Sequence, residues 1–478
     1  MIDYSQLNFT SFIPELTLVI GILVLIIRDL IRKNSSALGI GWGSMVLLAG
    51  LIVLTVNIGA KPGSYLFGAV IGDGVAVFFK VFFSLAVFLA MAMTLFTFKK
   101  QGEPYLLLLC SVLGMFLLAG SADIVTLIVA IELVSIPSYI LAGYHRGDSR
   151  SAEASLKYVI FGAVSTGVML YGFSILYGLC GATSISEMAA YFAAADFSAP
   201  AFLVAIALVL AGLGYKIAMV PFHFWCPDVY EGSPTPITAF FSVAPKAAGF
   251  AALFRMMDVF AAPAEFLNMD ARFLFSVAAA LTMTFGNLGA LHQINLKRLL
   301  AYSSIAHAGY ILMGFAAGTA DAYQAVLFYL VVYLFMNLGA FLVVDAAGRF
   351  LGGEETTHIK GLGKTSPALA VALSVFLFSL TGLPPLAGFI GKFYLFKALI
   401  VENMWGLALI GVANSVISLV YYVRIMRDMF IYEPEEEAAK PIPMSFGLSL
   451  LTLIFVIPTL VLGVWWGPLA GWVAAAMG

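Results

Sequence analysis

Apolar stretches of about 20 residues recur along this chain with only short polar breaks between them, and no other feature limits its fold so strongly. A helix of that length crosses the roughly 30 Å hydrocarbon core of a bilayer. Charged residues make up 10% of the 478 residues, against roughly 25% in a soluble domain. Such a chain cannot cover itself with a water-compatible surface, so lipid is its solvent. The net charge of -2 and the lack of a basic block exclude nucleic acid as a partner. Cys110, Cys180 and Cys226 are far apart, which excludes a C-x-x-C motif and argues against a disulfide framework. The first apolar run has neither a basic leader nor an A-x-A site, and reads as a retained helix.

Fourteen spans are expected, near 10–28, 37–57, 74–98, 104–120, 122–143, 154–180, 199–221, 235–256, 271–291, 301–318, 322–346, 366–398, 404–430 and 445–466. The segment 366–398 carries Gly382, Pro384 and Pro385 in its middle and reads as one broken helix. Lys and Arg collect in one set of alternate loops: Arg28, Arg32, Lys33, Lys99, Lys100, Arg146, Arg150, Lys297, Arg298, Arg349, Lys360, Lys364, Arg424, Arg427 and Lys440. That bias makes those loops cytoplasmic and puts both termini on the opposite side. The acidic run Glu435-Glu436-Glu437 then reads as a solvated cytoplasmic loop. The chain divides into a three-helix segment (1–100), two five-helix units (101–258 and 259–430) and a last helix (431–478).

The two units match in where their helices break. Spans 4–8 and 9–13 each place a lysine-bearing, interrupted helix fourth: G-L-G-Y-K-I-A-M-V-P with Lys216 before Pro221, and G-L-P-P-L-A-G-F-I-G-K-F with Lys392 after the proline pair. A repeat with an odd number of helices must be inverted, and helices broken at matching places point to a transport site. The fold expected is therefore all-α and polytopic, with two inverted five-helix repeats and spans 7 and 12 broken.

Four ionisable groups fall deep inside spans: Glu132, Lys216, Lys246 and Lys392. At about 1.5 Å per residue, Glu132 and Lys246 lie roughly 15 Å in, near the middle of the bilayer. One charge at a helix centre costs roughly 2.5–3.5 kcal/mol, so four cost on the order of 10 kcal/mol. Packing does not require that expense, although a static internal ion pair is the competing reading. Burial disfavours the charged form of lysine and glutamate alike, and a nearby opposite charge favours it. A buried Lys–Glu group therefore switches protonation when its neighbour moves or changes charge, which suits proton relay. Prolines lie beside all four (Pro137, Pro221, Pro245, Pro384-Pro385) and open backbone that water can solvate.

His223 and His307 are candidate shuttles near neutral pH, but each also suits a hydrogen-bonded packing role. Lys157 and Lys297 lie at helix starts, where snorkelling accounts for them at least as well. Tyr421 could donate into the second unit, although ordinary packing accounts for it better. Gly363-Lys364-Thr365 lacks the phosphate-loop glycine, since His358 stands in its place. Gly212-x-Gly214 lacks a third glycine at Ile217, and no histidine pair suits a haem. The chain has no visible means of redox chemistry or metal binding.

From Tyr215 the text Y-K-I-A-M-V-P-F-H-F-W-C-P-D-V-Y-E-G-S-P-T-P-I-T-A-F-F-S-V-A-P-K-A-A-G-F resembles the antiporter-like subunits of proton-pumping NADH:quinone oxidoreductase, respiratory complex I. Q-I-N-L-K-R-L-L-A-Y-S-S-I-A-H-A-G-Y from Gln293 does the same. The resemblance covers nearly the whole chain and is closest to the bacterial subunit N branch. Lysine at 392 fits branches N and L, whereas M is expected to carry glutamate. The chain also ends without the long lateral helix of L. The resemblance implies that Glu132 pairs with and modulates Lys216, that Lys246 is the central lysine, and that Lys392 is the terminal proton donor or acceptor. It further implies that NADH, FMN, iron–sulfur clusters and quinone lie on other subunits, that this chain holds no cofactor, and that it contacts subunits M, K and J in a bacterial inner membrane. A cation/proton antiporter subunit is the alternative enzyme-like reading, and a scaffold of the membrane arm the structural one.

Overall fold

The computed structural model describes residues 10–31, 37–98, 101–145, 147–194, 197–262, 271–434 and 440–478. Arg32, Lys33, Lys99, Lys100, Arg146 and the Glu435-Glu436-Glu437 run lie outside the described residues.

Helices dominate, in the order α1 (Ile13–Ile31), α2 (Ala37–Ile58), α3 (Gly74–Thr97), α4 (Glu103–Gly120), α5 (Ile124–Ala142), α6 (Ser149–Cys180), α7 (Ile185–Ala194), α8 (Ala199–Ile217), α9 (Trp225–Gly232) and α10 (Thr235–Ala261). They continue as α11 (Ala271–Leu291), α12 (Leu296–Ala317), α13 (Ala320–Leu351), α14 (Leu362–Thr365), α15 (Pro367–Thr381), α16 (Ala387–Val401), α17 (Trp405–Phe430), α18 (Phe446–Val464) and α19 (Gly467–Ala476). Among the described residues thirteen helices are long and apolar enough to cross a membrane. The fourteenth expected span is the pair α15 and α16, two short helices in line with the expected break. Short α7, α9, α14 and α19 were not foreseen, nor was the antiparallel hairpin of β1 (Lys61–Tyr65) and β2 (Val70–Gly72). All five sit in connections or at the end of the chain, where no long apolar run announces them.

Burial separates wall from core. The most apolar windows of α10, α12 and α13 are each 94% buried, whereas those of α1, α6 and α18 are 28–33% buried. The apolar side chains left on the outer helices face lipid, as a bilayer solvent allows. One arginine ties α3 to both α4 and α10. Arg255 near the end of α10 grips the Asp73 carboxylate through two nitrogens, at 2.6 and 2.8 Å, and donates from Nε to the Ala119 carbonyl at 2.8 Å. Asp73 in turn caps α3 by accepting the Ala76 amide at 2.8 Å. Burial alone would raise the Asp73 carboxyl, but the forked Arg255 contact outweighs it and holds the group below its ordinary value.

Candidate functional site

Both broken spans stop where the chain cannot continue a helix. α8 ends at Ile217 because Ala218 turns left-handed (φ 57°), and Pro221 has no N–H to offer. The amides of Ala218 and Met219 return to the carbonyls of Tyr215 and Gly214 at 3.1 and 2.7 Å. α15 ends at Gly382, with φ 91°, and the amides of Gly382 and Leu383 return to the Phe378 carbonyl at 3.0 and 3.1 Å. Ser379 then starts the next half by accepting the Gly388 amide at 3.0 Å. A Cβ at Gly388 would stand 1.8 Å from the Ser379 carbonyl oxygen, so only glycine allows the two halves to approach this closely.

Each break leaves helix-end carbonyls, the negative pole of a helix dipole, inside the protein. A lysine lies near each pole. Lys216 lies in the last turn of α8, and Lys392 reaches back from α16 to the Thr381 carbonyl at 2.9 Å, the last residue of α15.

Lys216, Lys246 and Lys392 are 4%, 4% and 3% exposed. Lys216 donates to Ser135 on α5 at 2.8 Å. Lys246 donates to Ser304 on α12 at 2.7 Å and lies over the Tyr230 ring at 5.5 Å. Lys392 also donates to Ser415 on α17 at 3.2 Å and sits 4.2 Å from the Tyr310 ring centre. Among the described residues no carboxylate stands at ion-pair distance from these three. Hydroxyls, carbonyls and ring faces hold them, and those accept a cation without fixing its charge.

The contacts join into one lateral line. Ser304, His307 and Tyr310 recur at three-residue steps and so share a face of α12. His307 meets the Tyr329 hydroxyl through Nδ1 at 2.6 Å, and its ring lies 5.7 Å from that of Tyr310. Gly249, one turn past Lys246 on α10, packs against Lys216, where a Cβ would stand 3.2 Å from the lysine Cγ. In order along these helices stand Ser135, Lys216, Lys246, Ser304, His307, Tyr310 and Lys392, across α5, α8, α10, α12 and α16, with packing alone between Lys216 and Lys246 and helix spacing alone between Ser304 and His307. Glu132 stands beside the start of the line. It is half-buried and accepts the Thr166 hydroxyl from α6 at 2.6 Å; it makes no direct ion pair with Lys216, whose ammonium goes to Ser135 one turn further along α5, and Ser135 in turn donates to the Ile131 carbonyl at 2.7 Å.

The remaining candidates fall elsewhere. His223 is buried, and its Nδ1 finds no hydrogen-bond partner among the described residues. Tyr421 donates to Asn287 at 3.0 Å, and Asn287 donates to Asn414 at 3.1 Å, next to Ser415. Lys157 lies at the surface between Glu153 and Asp228, at 2.7 and 2.6 Å. Arg298 completes that cluster at 2.5 Å from Asp228 and 2.9 Å from Glu231. Burial would raise the Asp228 carboxyl, but its bonds from Lys157 and Arg298 prevail and hold it below the usual carboxylate range.

Lys297 is buried between Glu354, at 2.9 Å, and the Ser233 carbonyl, at 2.9 Å. This pair lines a polar cavity of about 440 Å³ at the start of α10, with Thr235, Asp345 and Arg349. Burial, and next the nearby Lys297 charge, push the His145 imidazole at its rim below its usual value. Thr235 donates to Glu354 at 2.6 Å. Thr235, Thr238, Ser242 and Lys246 then recur every three or four residues, so hydroxyls line one face of α10 from the cavity to the central lysine. Ser242 accepts the Asn337 amide at 2.6 Å.

The sequence reasoning missed one buried ion pair. Glu15 on α1, fully buried, stands 2.7 Å from Lys80 on α3. The signal was present as a lone lysine in F-F-K-V-F-F. Among the described residues, no three His, Cys, Asp or Glu side chains converge as metal ligands.

A family model described as NADH:quinone oxidoreductase/Mrp antiporter, TM, matches residues 121–418, from the start of α5 into α17. The chain belongs to that family. Within the NADH:quinone oxidoreductase/Mrp antiporter family it is similar to the NADH-quinone oxidoreductase subunit N of Anaeromyxobacter sp. (strain Fw109-5), 44% identical over 100% of this chain and 98% of the relative. That of Chlorobium chlorochromatii is 46% identical over 90% and 86%. Among solved structures, a chain of respiratory complex I from Thermus thermophilus matches with a TM-score of 0.83 and 32% identity, covering 97% of this chain and 99% of that one. A chain of the Mrp complex from Dietzia sp. matches at 22% identity with a TM-score of 0.85, which speaks to the fold alone. The family match contains the whole lysine line and leaves out Glu15 and Lys80.

Proposed function

We propose that this chain is the subunit N of an NADH:quinone oxidoreductase and moves protons along its lateral line of buried lysines. The observation that carries this reading is that three buried lysines, none with an acidic partner among the described residues, follow one another on neighbouring helices, Lys216 packing near Lys246 through Gly249 and Lys246 followed toward Lys392 by hydroxyl, imidazole and phenol groups. A lone ammonium in a low-dielectric interior interacts strongly with any neighbouring charge. A change at one lysine therefore biases the next, and the groups between them can pass a proton. Lys216, Lys246 and Lys392 carry the proton, and the Glu132 charge tunes Lys216 from one turn away. The cavity beside Glu354 and Lys297 supplies protons to Lys246 along the hydroxyl face of α10. His307 serves within the line, while His223, Lys157, Lys297 and Tyr421 serve at its margins.

On this reading quinone reduction takes place in other subunits, which hold NADH, FMN, the iron–sulfur clusters and quinone. The chain itself is a non-redox part of the enzyme, set in a bacterial inner membrane against subunits M, K and J. The 40–46% identity to subunit N relatives over most of the chain favours this role over that of a stand-alone antiporter subunit.

The test uses the assembled complex. Lys216→Ala and Glu132→Gln are expected to leave assembly intact and to lower both proton pumping and coupled quinone reduction, with pumping in inverted vesicles falling about ten-fold or more for Lys216→Ala. Glu132→Gln keeps the shape and removes only the charge, so its effect should be smaller and in the same direction. Loss of assembly with normal specific activity in the residual complex would favour the scaffold.

Orientation is tested separately. A reporter fused after Gly478 is expected on the periplasmic side, and one inserted between Glu433 and Lys440 on the cytoplasmic side. If both report one compartment, the number of crossings is off by an odd number.

A further inference from the structure

α11 and α17 lie side by side on the outside of the bundle and leave an apolar groove between them. Val412, Val416, Val420 and Val423 form one exposed stripe along α17, and Phe285 and Leu288 face outward on α11. At the shared end of the two helices the groove opens into a recess of about 280 Å³, lined by Leu291, Val420, Val423, Arg424 and Arg427. Arg424 folds inward and donates to the carbonyls of Leu291 and Gln293 at 2.8 and 2.6 Å. Among the described residues it has no carboxylate at ion-pair distance. Arg427 shares the Asp428 carboxylate at 3.0 Å. Two guanidinium groups against one carboxylate leave the recess positive.

These arginines are more than helix-end anchors. A snorkelling side chain turns outward to water, whereas Arg424 turns inward onto the last carbonyls of α11 and forms the wall of a recess. The depth also fits. From Val412 to Val423 the stripe rises about 16 Å at 1.5 Å per residue, close to the half of a roughly 30 Å hydrocarbon core that one leaflet fills. The cations follow within one turn, Arg424 at once and Arg427 a turn beyond Val423, where headgroup phosphates lie. A helix, about 10 Å across, does not fit the recess, but a phosphate and its glycerol do. A zwitterionic headgroup would need an acid for its amine, and Asp428 is already engaged by Arg427.

We propose that the groove between α11 and α17 binds one anionic phospholipid, with its phosphate at Arg424 and Arg427 and an acyl chain along the valine stripe. Basic recesses between membrane helices suit anionic headgroups, and this site does not depend on the proton reading.

The intact complex in mild detergent is to be irradiated with phosphatidylglycerol that carries a diazirine in its acyl chain, and the labelled peptides mapped. Label is expected on residues 409–427, displaced by unlabelled phosphatidylglycerol at concentrations where phosphatidylcholine has no effect. Removing one cation at the membrane surface is worth about a five-fold loss, so Arg427→Gln should lower labelling about five-fold while Arg427→Lys retains it. Arg424 is left in place because it also fastens α11. Equal displacement by both lipids would reduce the site to ordinary apolar contact and overturn the proposal. So would unchanged labelling in Arg427→Gln, or no label on α17 because a neighbouring subunit covers the groove.

Discussion

Lys392→Arg and Lys392→Met are both expected to lower proton pumping about ten-fold or more in assembled complex, because a positioned proton-transfer group contributes at least that much. The near-equality is the informative part. Lysine can give up its proton in a desolvated site, whereas arginine stays protonated under all accessible conditions. Lys392 is held by the Thr381 carbonyl, Ser415 and the Tyr310 ring, all of which tolerate a cation and none of which supplies one. If the site needed only a fixed positive charge, arginine would work and methionine would fail. Near-normal pumping by Lys392→Arg would therefore rule out obligatory deprotonation at this position. Activity must be normalised to assembled complex, since the Gly382 position already lies against Lys392 Cδ and leaves little room for a larger head. Pumping in inverted vesicles gives the measurement.

Much of this arrangement was legible before any coordinates. The breaks were legible because Gly382 and the proline pair have few other uses inside an apolar run, and both helix ends do turn where those residues and Ala218 require. The lysines were legible because a charge among apolar residues is costly in lipid. What joins them was not. Ser135, Ser304 and Ser415 are ordinary residues in a chain rich in small side chains, and their meeting with lysines on other helices depends on packing. Tyr310 likewise looks like core until Lys392 is seen above its ring. Glu354 was passed over because it lies in a loop, where a carboxylate carries no signal, yet it lines the polar cavity at the start of α10 and takes the Thr235 hydroxyl. Glu132 and Lys216 were expected to pair, but Lys216 donates to Ser135 and Glu132 takes the Thr166 hydroxyl instead.

Lys80→Met alone is expected to destabilise the folded chain by about 3–5 kcal/mol, the usual result of leaving one member of a buried ion pair without its partner. Glu15 is fully buried and 2.7 Å from Lys80, whose ammonium also donates to the Ser11 carbonyl at 3.3 Å. Without the lysine, the Glu15 carboxylate has no cation at ion-pair distance among the described residues. The double variant Glu15→Leu/Lys80→Met should recover most of the loss, since two apolar side chains avoid the desolvation that a buried pair must offset. Thermal inactivation of the solubilised complex, compared across wild type, both single variants and the double, measures the coupling. The comparison also separates two uses of buried charge within one chain. Glu15 and Lys80 neutralise each other, lie outside the family match, and join α1 to α3, so the double variant should pump normally. Lys216, Lys246 and Lys392 have no such partner among the described residues, and no apolar replacement is expected to restore pumping. If the double variant is stable but fails to pump, the pair belongs to the proton path and the line of lysines extends into the first three helices.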